Sequence, residues 1–520
     1  MYTRLKRCSR FQCRKNVCTQ FHCGSFMECR IVSHECQPKP FRDIPGPKSL
    51  PIIGTLYKYL PIIGEYNFTK LYGSGVKKLK RFGPLVREEI VPNVNVVWVY
   101  RPEDIAEIFR AESGLHPERR SHLALLKYRK DRADVYSTGG LLPTNGPEWW
   151  RLRKEFQKVT SKPQNIINYI EETDHVVQEF VALCNREKFE DLLPILSRLF
   201  LELTCLVVFD VKLNSFSEEE RHKYSRSSKL IEAAVTTNNA ILKLDNGLQL
   251  WKFFETPLYR KLRKAQSYME SVALELVSQK KDKDARRNKS FLSAYFENSA
   301  LDIKDIVGMA CDMLLAGVDT TTYSTAFILY HLAKNQDIQQ KLRAEAIELL
   351  PQPNQPITAD VLRSASYTKA VIKEGLRLNP ISVGIGRILQ TDIVLSGYRV
   401  PKGSVVVTQN QIICRLPEYF YNPNSFIPER WLRENSESKI SCGKPIHPYI
   451  LLPFGHGPRS CIARRFAEQN MQVLLLRICS QLQFSWHGDE LGMISLLINK
   501  PDGPMKLQFC NILNTDSNTT

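Results

Sequence analysis

The chain has 520 residues, 43% hydrophobic and 24% charged, the balance of a globular enzyme and not of a disordered or fibrous chain. Lysine and arginine outnumber aspartate and glutamate by 72 to 54, and the net charge of +18 calls for an acidic partner or an anionic membrane surface. Nucleic acid is set aside because no zinc-finger spacing or RNA-binding aromatic motif accompanies the charge, and no run of 18 uncharged apolar residues predicts a membrane-spanning helix.

Residues 1–42 hold nine basic and two acidic side chains, and the first 27 hold Arg4, Lys6, Arg7, Arg10, Arg14 and Lys15 with no acid at all. That composition, without a long apolar stretch, predicts a mitochondrial transit peptide and not a secretory signal. Cys8, Cys13, Cys18, Cys23, Cys29 and Cys36 also lie there. Their spacing fits neither a CxxC redox pair nor a zinc site, so they are expected to leave with the leader. The proline-rich stretch DIPGPKSLPIIG, residues 43–54, then opens one large domain taken as 43–520.

Alternating runs from Leu85 to Ile90 and from Val94 to Val99, separated by Pro92 and Asn93, predict a strand pair. Pro102 and Glu103 open a short helix, with proline in the first turn where its absent N–H costs nothing. Helical periodicity prevails from Glu148 to Lys334, broken by NSFSEEE and by QKKDKDARRNKS, the second read as a solvated loop. Residues Ile303 to Lys334 read as one helix about 45 Å long, with Ile306, Met309, Met313, Leu314 and Gly317 near one face.

Farther along, Glu374 and Arg377 share a helical face, a spacing that Glu148 with Arg151 and Glu218 with Arg221 also satisfy. Lys369 and Lys373, four residues apart, point the same way. The stretch DIVLSGYRVPKGSVVVT predicts a hairpin around its Pro-Lys-Gly. The fold class is therefore mainly α (α+β), a helical domain with small sheets to one side.

Cys461 stands in LLPFGHGPRSCIARRFAE, just before a predicted helix. A helix N-terminus and the neighbouring Arg459 both favour a thiolate, which serves as nucleophile, redox sensor or metal ligand. Nucleophilic use lacks an evident base, since the glycine-rich setting of His456 offers no geometry. The arrangement of Phe454, Gly457, Arg459 and Cys461, Phe-x-x-Gly-x-Arg-x-Cys, resembles the haem-binding loop of the cytochrome P450 family, where the thiolate is the axial iron ligand. Ala463 stands where the family usually has glycine, a small replacement that does not read as loss of haem.

The resemblance extends over about 45–509 and implies the family's fold, haem b and monooxygenase activity. Ala316, Gly317, Val318, Asp319, Thr320 and Thr321 match the family's oxygen-side signature, which implies close backbone approach at Gly317 and proton delivery by Asp319 and Thr320 as catalytic residues. Arg430 in FIPERW is implied to complete a buried structural triad with Glu374 and Arg377. Trp149 and Arg153, with Trp150 competing for the indole role, and Arg387 are implied to meet the haem propionates together with Arg459. Lys369 and Lys373, extended by Arg464 or Arg465, match the surface on which mitochondrial members dock ferredoxin.

Segments such as STGGLLPTNGPEWWRLR resemble the insect mitochondrial branch that makes moulting hormone. The implied substrate is a steroid, an ecdysteroid precursor hydroxylated on its side chain at C22. The implied setting is the matrix side of the mitochondrial inner membrane, with peripheral membrane contact and electrons from ferredoxin and its NADPH-dependent reductase. Substrate contacts are expected at 122–140, 233–254, 381–385 and 493–497. A different lipid or xenobiotic substrate, an isomerase or dehydratase on the same fold, and a non-catalytic sterol-binding protein are the alternatives.

Overall fold

The computed structural model describes residues 37–512 apart from 63, 113, 115, 284–290 and 433–445. The leader up to residue 36, with its basic residues and six cysteines, lies outside the described residues. Among the described residues, twelve helices have eight residues or more. They are α1 (Leu71–Phe82), α2 (Pro102–Ala111), α3 (Leu123–Lys130), α4 (Gly146–Thr160), α5 (Ile170–Arg186), α6 (Leu193–Phe209), α7 (Arg226–Asn246), α8 (Pro257–Lys283), α9 (Ile303–Lys334), α10 (Gln336–Leu349), α11 (Ser366–Leu378) and α12 (Arg464–Gln481).

Strands β1 (Leu85–Val91) and β2 (Val94–Val99) form the expected hairpin, with Asn93 in the left-handed region at its tip. They join β6 (Val405–Thr408) and β3 (Gly386–Ile388) in a sheet of order β1-β2-β6-β3, in which β2 and β6 are parallel. Val97, Val99 and Val406 of this sheet pack with Ile105 and Ile108 of α2 into a core separate from the main helical one.

The hairpin expected around Pro401, Lys402 and Gly403 forms one turn earlier. Strands β4 (Ile393–Leu395) and β5 (Tyr398–Val400) pair across Ser396 and Gly397. Both turn residues have positive φ (45° and 81°), as a two-residue connection between twisted strands requires. The Pro-Lys-Gly stretch instead carries the chain from β5 to β6 in the other sheet.

Helix α9 has the predicted ends, and a capping box of Asp302 and Asp305 fixes the first of them. The single apolar face expected of it is too narrow a description: nearly every residue from Asp305 to Ala333 is buried. Helices α6 and α7 flank it, α11 packs on another side, and the polar side chains along it are enclosed in protein. Helix α8 runs through residue 283, so the predicted solvated loop begins as helix, and 284–290 lie outside the described residues.

Helix α12 is tied to α5 by a buried ion pair, in which Arg477 Nε donates to Asp174 Oδ1 at 2.6 Å and Nη2 to Oδ2 at 2.5 Å.

Candidate active site

Residues 452–461 fold back on themselves. Gly455 N donates to Leu452 O at 3.0 Å, Ser460 N to Gly457 O at 3.0 Å and Cys461 N to Phe454 O at 2.8 Å. Gly455 and Gly457 have φ of 75° and 68°, values that a side chain would strain, which explains the glycines. Ala463, the N-cap of α12, has φ of −96°, so its backbone makes no demand for glycine. The Cys461 side chain opens into a cavity of about 510 Å³ between this loop, α9 and α4.

Sequence expected the thiol to be held as an anion by the helix and by Arg459. The structure keeps the helix contribution but not that of Arg459. Burial pushes the Cys461 thiol up, outweighing the Ala463 N–H and the charges of Arg153 and Arg464, which pull it down. Arg459 turns elsewhere: it donates to Pro117 O at 2.6 Å, to Asn145 Oδ1 at 2.8 Å and to Thr144 O. The charge of a bound metal would offset that burial and favour the thiolate.

Trp149, Arg153, Arg387 and Arg459 all line this cavity, as does Phe454. Trp149 is 2% exposed and lies 4.2 Å beneath the Arg459 guanidinium, while Trp150 is 36% exposed, so the competing indole faces outward. Arg387 pairs with Glu112 at 2.6 Å and Arg153 Nε donates to Gln157 at 2.8 Å. Arg119 of the HPERRSH stretch, which sequence reading passed over, lines the same cavity.

Burial, reinforced by mutual repulsion, pushes Arg459 down to about 8 and Arg119 to about 10; burial alone brings Arg153 to about 10. Arg459 Nη1 is buried without a partner. Such a crowd of desolvated guanidinium groups beside an apolar cavity and a thiol suits a flat ligand carrying two carboxylates and a sulfur-binding metal, which is the chemistry of haem.

On α9, Met309, Met313, Ala316, Gly317 and Thr320 reach the cavity, whereas Ile306 and Leu314 do not. The absent Cβ of Gly317 would lie 2.8 Å from Thr204 Oγ1 and 3.1 Å from its Cγ2. The glycine thus first of all lets α9 approach α6. Asp319 is buried and accepts a hydrogen bond from Asn238 Nδ2 of α7 at 3.0 Å, while its Oδ1 has no partner. Burial raises its carboxyl to about 6, against the pull of the Asn238 amide and of Lys500. Thr320 Oγ1 donates to Ala316 O at 2.6 Å, leaving its lone pairs for another donor.

Glu374, Arg377 and Arg430 meet in the interior. Arg377 Nε and Nη2 donate to the two carboxylate oxygens of Glu374 at 2.8 Å each, and Arg430 Nε donates to Oε1 at 3.2 Å. Ile427 N and Trp431 Nε1, both at 3.0 Å, complete the donors around that carboxylate. The rival pairs stay near the surface, with Glu148 and Arg151 on α4 partly exposed and Arg221 bonded to Glu187 instead of Glu218.

Lys369, Lys373, Arg464 and Arg465 are all exposed. Lys373 lies 4.0 Å from the Trp431 ring centroid, and burial plus the charge of Arg464 lowers its ammonium. Arg464, paired with Glu468 at 3.0 Å, is near enough for its charge to act on Lys373.

The expected substrate segments are met in part. From 122–140 only His122 lines the cavity; Arg119, Arg120, Ser121, Leu141 and Leu142 beside it do. Asn238, Ile381, Ser382, Gly384, Ile385 and Leu497 contribute as expected, and Met493 does not. Phe200, Thr204 and Val208 of α6 were missed, since a helix buried all round gives no sign of which side meets a cavity.

A Drosophila melanogaster protein named "Cytochrome P450 302a1, mitochondrial" is 50% identical over 490 residues, 93% of this chain and 98% of that protein. "Ecdysone 20-monooxygenase" of the same species is 29% identical over 477 residues, 87% and 86% of the two chains. "Cytochrome P450 12b1, mitochondrial" of Drosophila acanthoptera is 28% identical over 485 residues, 90% and 89%. Residues 44–509 match the family described as Cytochrome P450, and on that match the chain belongs to the cytochrome P450 family of haem-thiolate monooxygenases.

Proposed function

We propose that this monooxygenase works in mitochondria, at the matrix side of the inner membrane, and hydroxylates an ecdysteroid precursor at side-chain C22 with O2 and electrons from a ferredoxin and its NADPH-dependent reductase. A relative half identical along nearly its whole length is named mitochondrial, and a more distant one is named for ecdysone. The basic composition of residues 1–42, taken as a transit peptide, agrees with that compartment. The observation that carries the reading is that Cys461, the arginine cluster and Thr320, with Asp319 one residue away, converge on one apolar cavity.

Haem, when bound, supplies the oxygen-activating redox chemistry. Cys461 would hold it through sulfur, and Arg153, Arg387 and Arg459, with Arg119, would neutralise its carboxylates. Phe200, Val208, Met309, Met313 and Leu497 form the apolar wall that excludes water and accepts the steroid. Asp319 holds a proton on its carboxyl in roughly one molecule in ten at pH 7, given a value of about 6, and the Thr320 hydroxyl oxygen is placed to accept and pass on a hydrogen bond. Leu248, Leu250, Phe253 and Phe254, exposed between α7 and α8, favour contact with a membrane surface.

The test is incubation of the purified holoenzyme with ferredoxin, its reductase and a panel of ecdysteroid precursors. C22 hydroxylation dependent on ferredoxin is expected; turnover without O2 would favour an isomerase or dehydratase.

Asp319→Asn and Thr320→Ala are each expected to lower product formed per oxygen consumed by roughly tenfold or more at unchanged haem content. Unchanged coupling in both would remove the proton-delivery role. Asp319→Asn carries a second signature. The folded protein binds the Asp319 proton more tightly than the unfolded chain, so the carboxylate opposes folding above about pH 6, and the penalty fades as pH falls toward 4. The variant is therefore expected to be more stable than wild type at pH 7.5, by on the order of 2 kcal/mol, and equal to it near pH 4. Thermal unfolding at the two pH values checks this.

Replacing Lys369 and Lys373 by glutamate is expected to raise the ferredoxin KM roughly tenfold, steeply dependent on salt, without altering the haem spectrum. An unaltered KM at low ionic strength would place the docking surface elsewhere.

A further inference from the structure

A further buried charge pair stands beside the cavity, with Asp312 on its wall and Arg129 behind it. Asp312 of α9 faces Arg129 at the end of α3, with Arg129 Nη1 2.8 Å from Asp312 Oδ1, and both side chains are buried. The pair grips the backbone between α3 and α4 at three points. Leu141 N donates to Asp312 Oδ2 at 2.6 Å, Leu142 N donates to the same oxygen at 3.3 Å, and Arg129 Nη1 donates to Gly139 O at 2.7 Å.

Gly140 passes through this grip with φ of 81°. A Cβ there would sit 2.1 Å from Arg129 Nη1 and 2.6 Å from Asp312 Oδ2, so the fit admits no side chain. The loop's far end is held as well: Arg119 Nε donates to Leu142 O at 3.1 Å, and Asn145 Nδ2 donates to Arg119 O at 2.9 Å. The gripped residues Leu141 and Leu142 are themselves cavity wall.

A buried ion pair contributes little net stability compared with apolar residues of similar volume, so this one is better understood through what it fixes. Backbone N–H groups that bond to an ionised oxygen on a rigid helix have little freedom to shift. We propose that Asp312 and Arg129 are specificity-determining positioning residues: by pinning Gly139–Leu142 to α9 they fix how Leu141 and Leu142 meet a bulky apolar ligand in the cavity, and so set its orientation. The proposal rests on the reading of this cavity as the haem and substrate site.

The test uses two probes that bind haem through an imidazole nitrogen and differ in bulk, imidazole itself and triphenylmethyl-imidazole, titrated by absorbance into the holoenzyme. The double variant Arg129→Met with Asp312→Leu removes both charges together and strands neither. Its Kd for the bulky probe is expected to rise roughly tenfold or more, with that for imidazole within about twofold of wild type and the thiolate-type spectrum intact. A bulky-probe Kd within twofold of wild type overturns the proposal, as does a parallel weakening of both probes.

Gly140→Ala keeps both charges while wedging them from the backbone, and serves if the double variant does not accumulate with haem. The same split is expected of it. Wild-type binding of both probes, or loss of haem loading here too, assigns the pair a merely structural part and rejects the proposal. Neither probe is a steroid, so a wild-type enzyme that ignores every ecdysteroid defeats the substrate assignment while leaving this split readable.

Discussion

Cys461→Ser is expected to abolish hydroxylation and to remove the red-shifted band that thiolate-ligated haem gives when reduced and treated with carbon monoxide. The reasoning starts from the site's own electrostatics. Burial pushes the cysteine thiol up, and the charge of a bound metal would favour the thiolate against that pull. A serine hydroxyl is a far weaker acid in the same enclosure, and the same metal charge does not secure it as an anion. The loop itself should survive, because its hydrogen bonds run between backbone groups at Leu452, Phe454 and Gly457. Circular dichroism and thermal unfolding close to wild type, with the band absent, is the expected pairing. A variant pigment indistinguishable from the parent would remove Cys461 from the ligand role.

The second large effect belongs to Glu374→Gln. The carboxylate receives three guanidinium hydrogen bonds, one backbone N–H and one indole N–H in a setting closed to water. Glutamine offers one acceptor oxygen and sets an NH2 group against guanidinium donors, leaving two buried cations without an anion. Breaking a buried pair on one side costs about 3–5 kcal/mol, a large part of the roughly 5–15 kcal/mol that holds a domain folded. The variant is expected to accumulate poorly and without haem. Glu429→Gln, beside Arg430 in the turn Pro428–Trp431, is the control. Its carboxylate meets Lys341, a half-exposed partner, and the Tyr367 hydroxyl, so a loss of at most about 1 kcal/mol is expected. Equal denaturation midpoints for the two variants would show that the buried charges do not hold the interior together.

Local features were legible from sequence where the chemistry lies within a few residues. The span of α9 follows from its periodic apolar residues, and the β1–β2 turn from Pro92 and Asn93. The hairpin at β4 was misplaced because Pro-Lys-Gly is the louder turn signal, while Ser396 and Gly397 adopt the left-handed pair that the strands need. What spacing leaves undecided is direction. Arg459 sits two residues from Cys461, yet it reaches toward Pro117 and Asn145, contacts more than 300 residues away along the chain. Arg119 and the α6 residues Phe200, Thr204 and Val208 enter the cavity through tertiary packing alone. Helical spacing alone did not separate Glu374 and Arg377 from two rival pairs, and resemblance both singled them out and added Arg430.

Helix α9 has almost no wet side: from Asp305 to Ala333 its neighbours are protein nearly all round. A spine so tightly sheathed has little tolerance for drift, since a changed volume at one rung presses on several elements at once. Divergence in what such an enzyme accepts is thereby channelled into the short irregular stretches at 119–122, 381–385 and 497–498, where the chain borders the same chamber without being locked between helices.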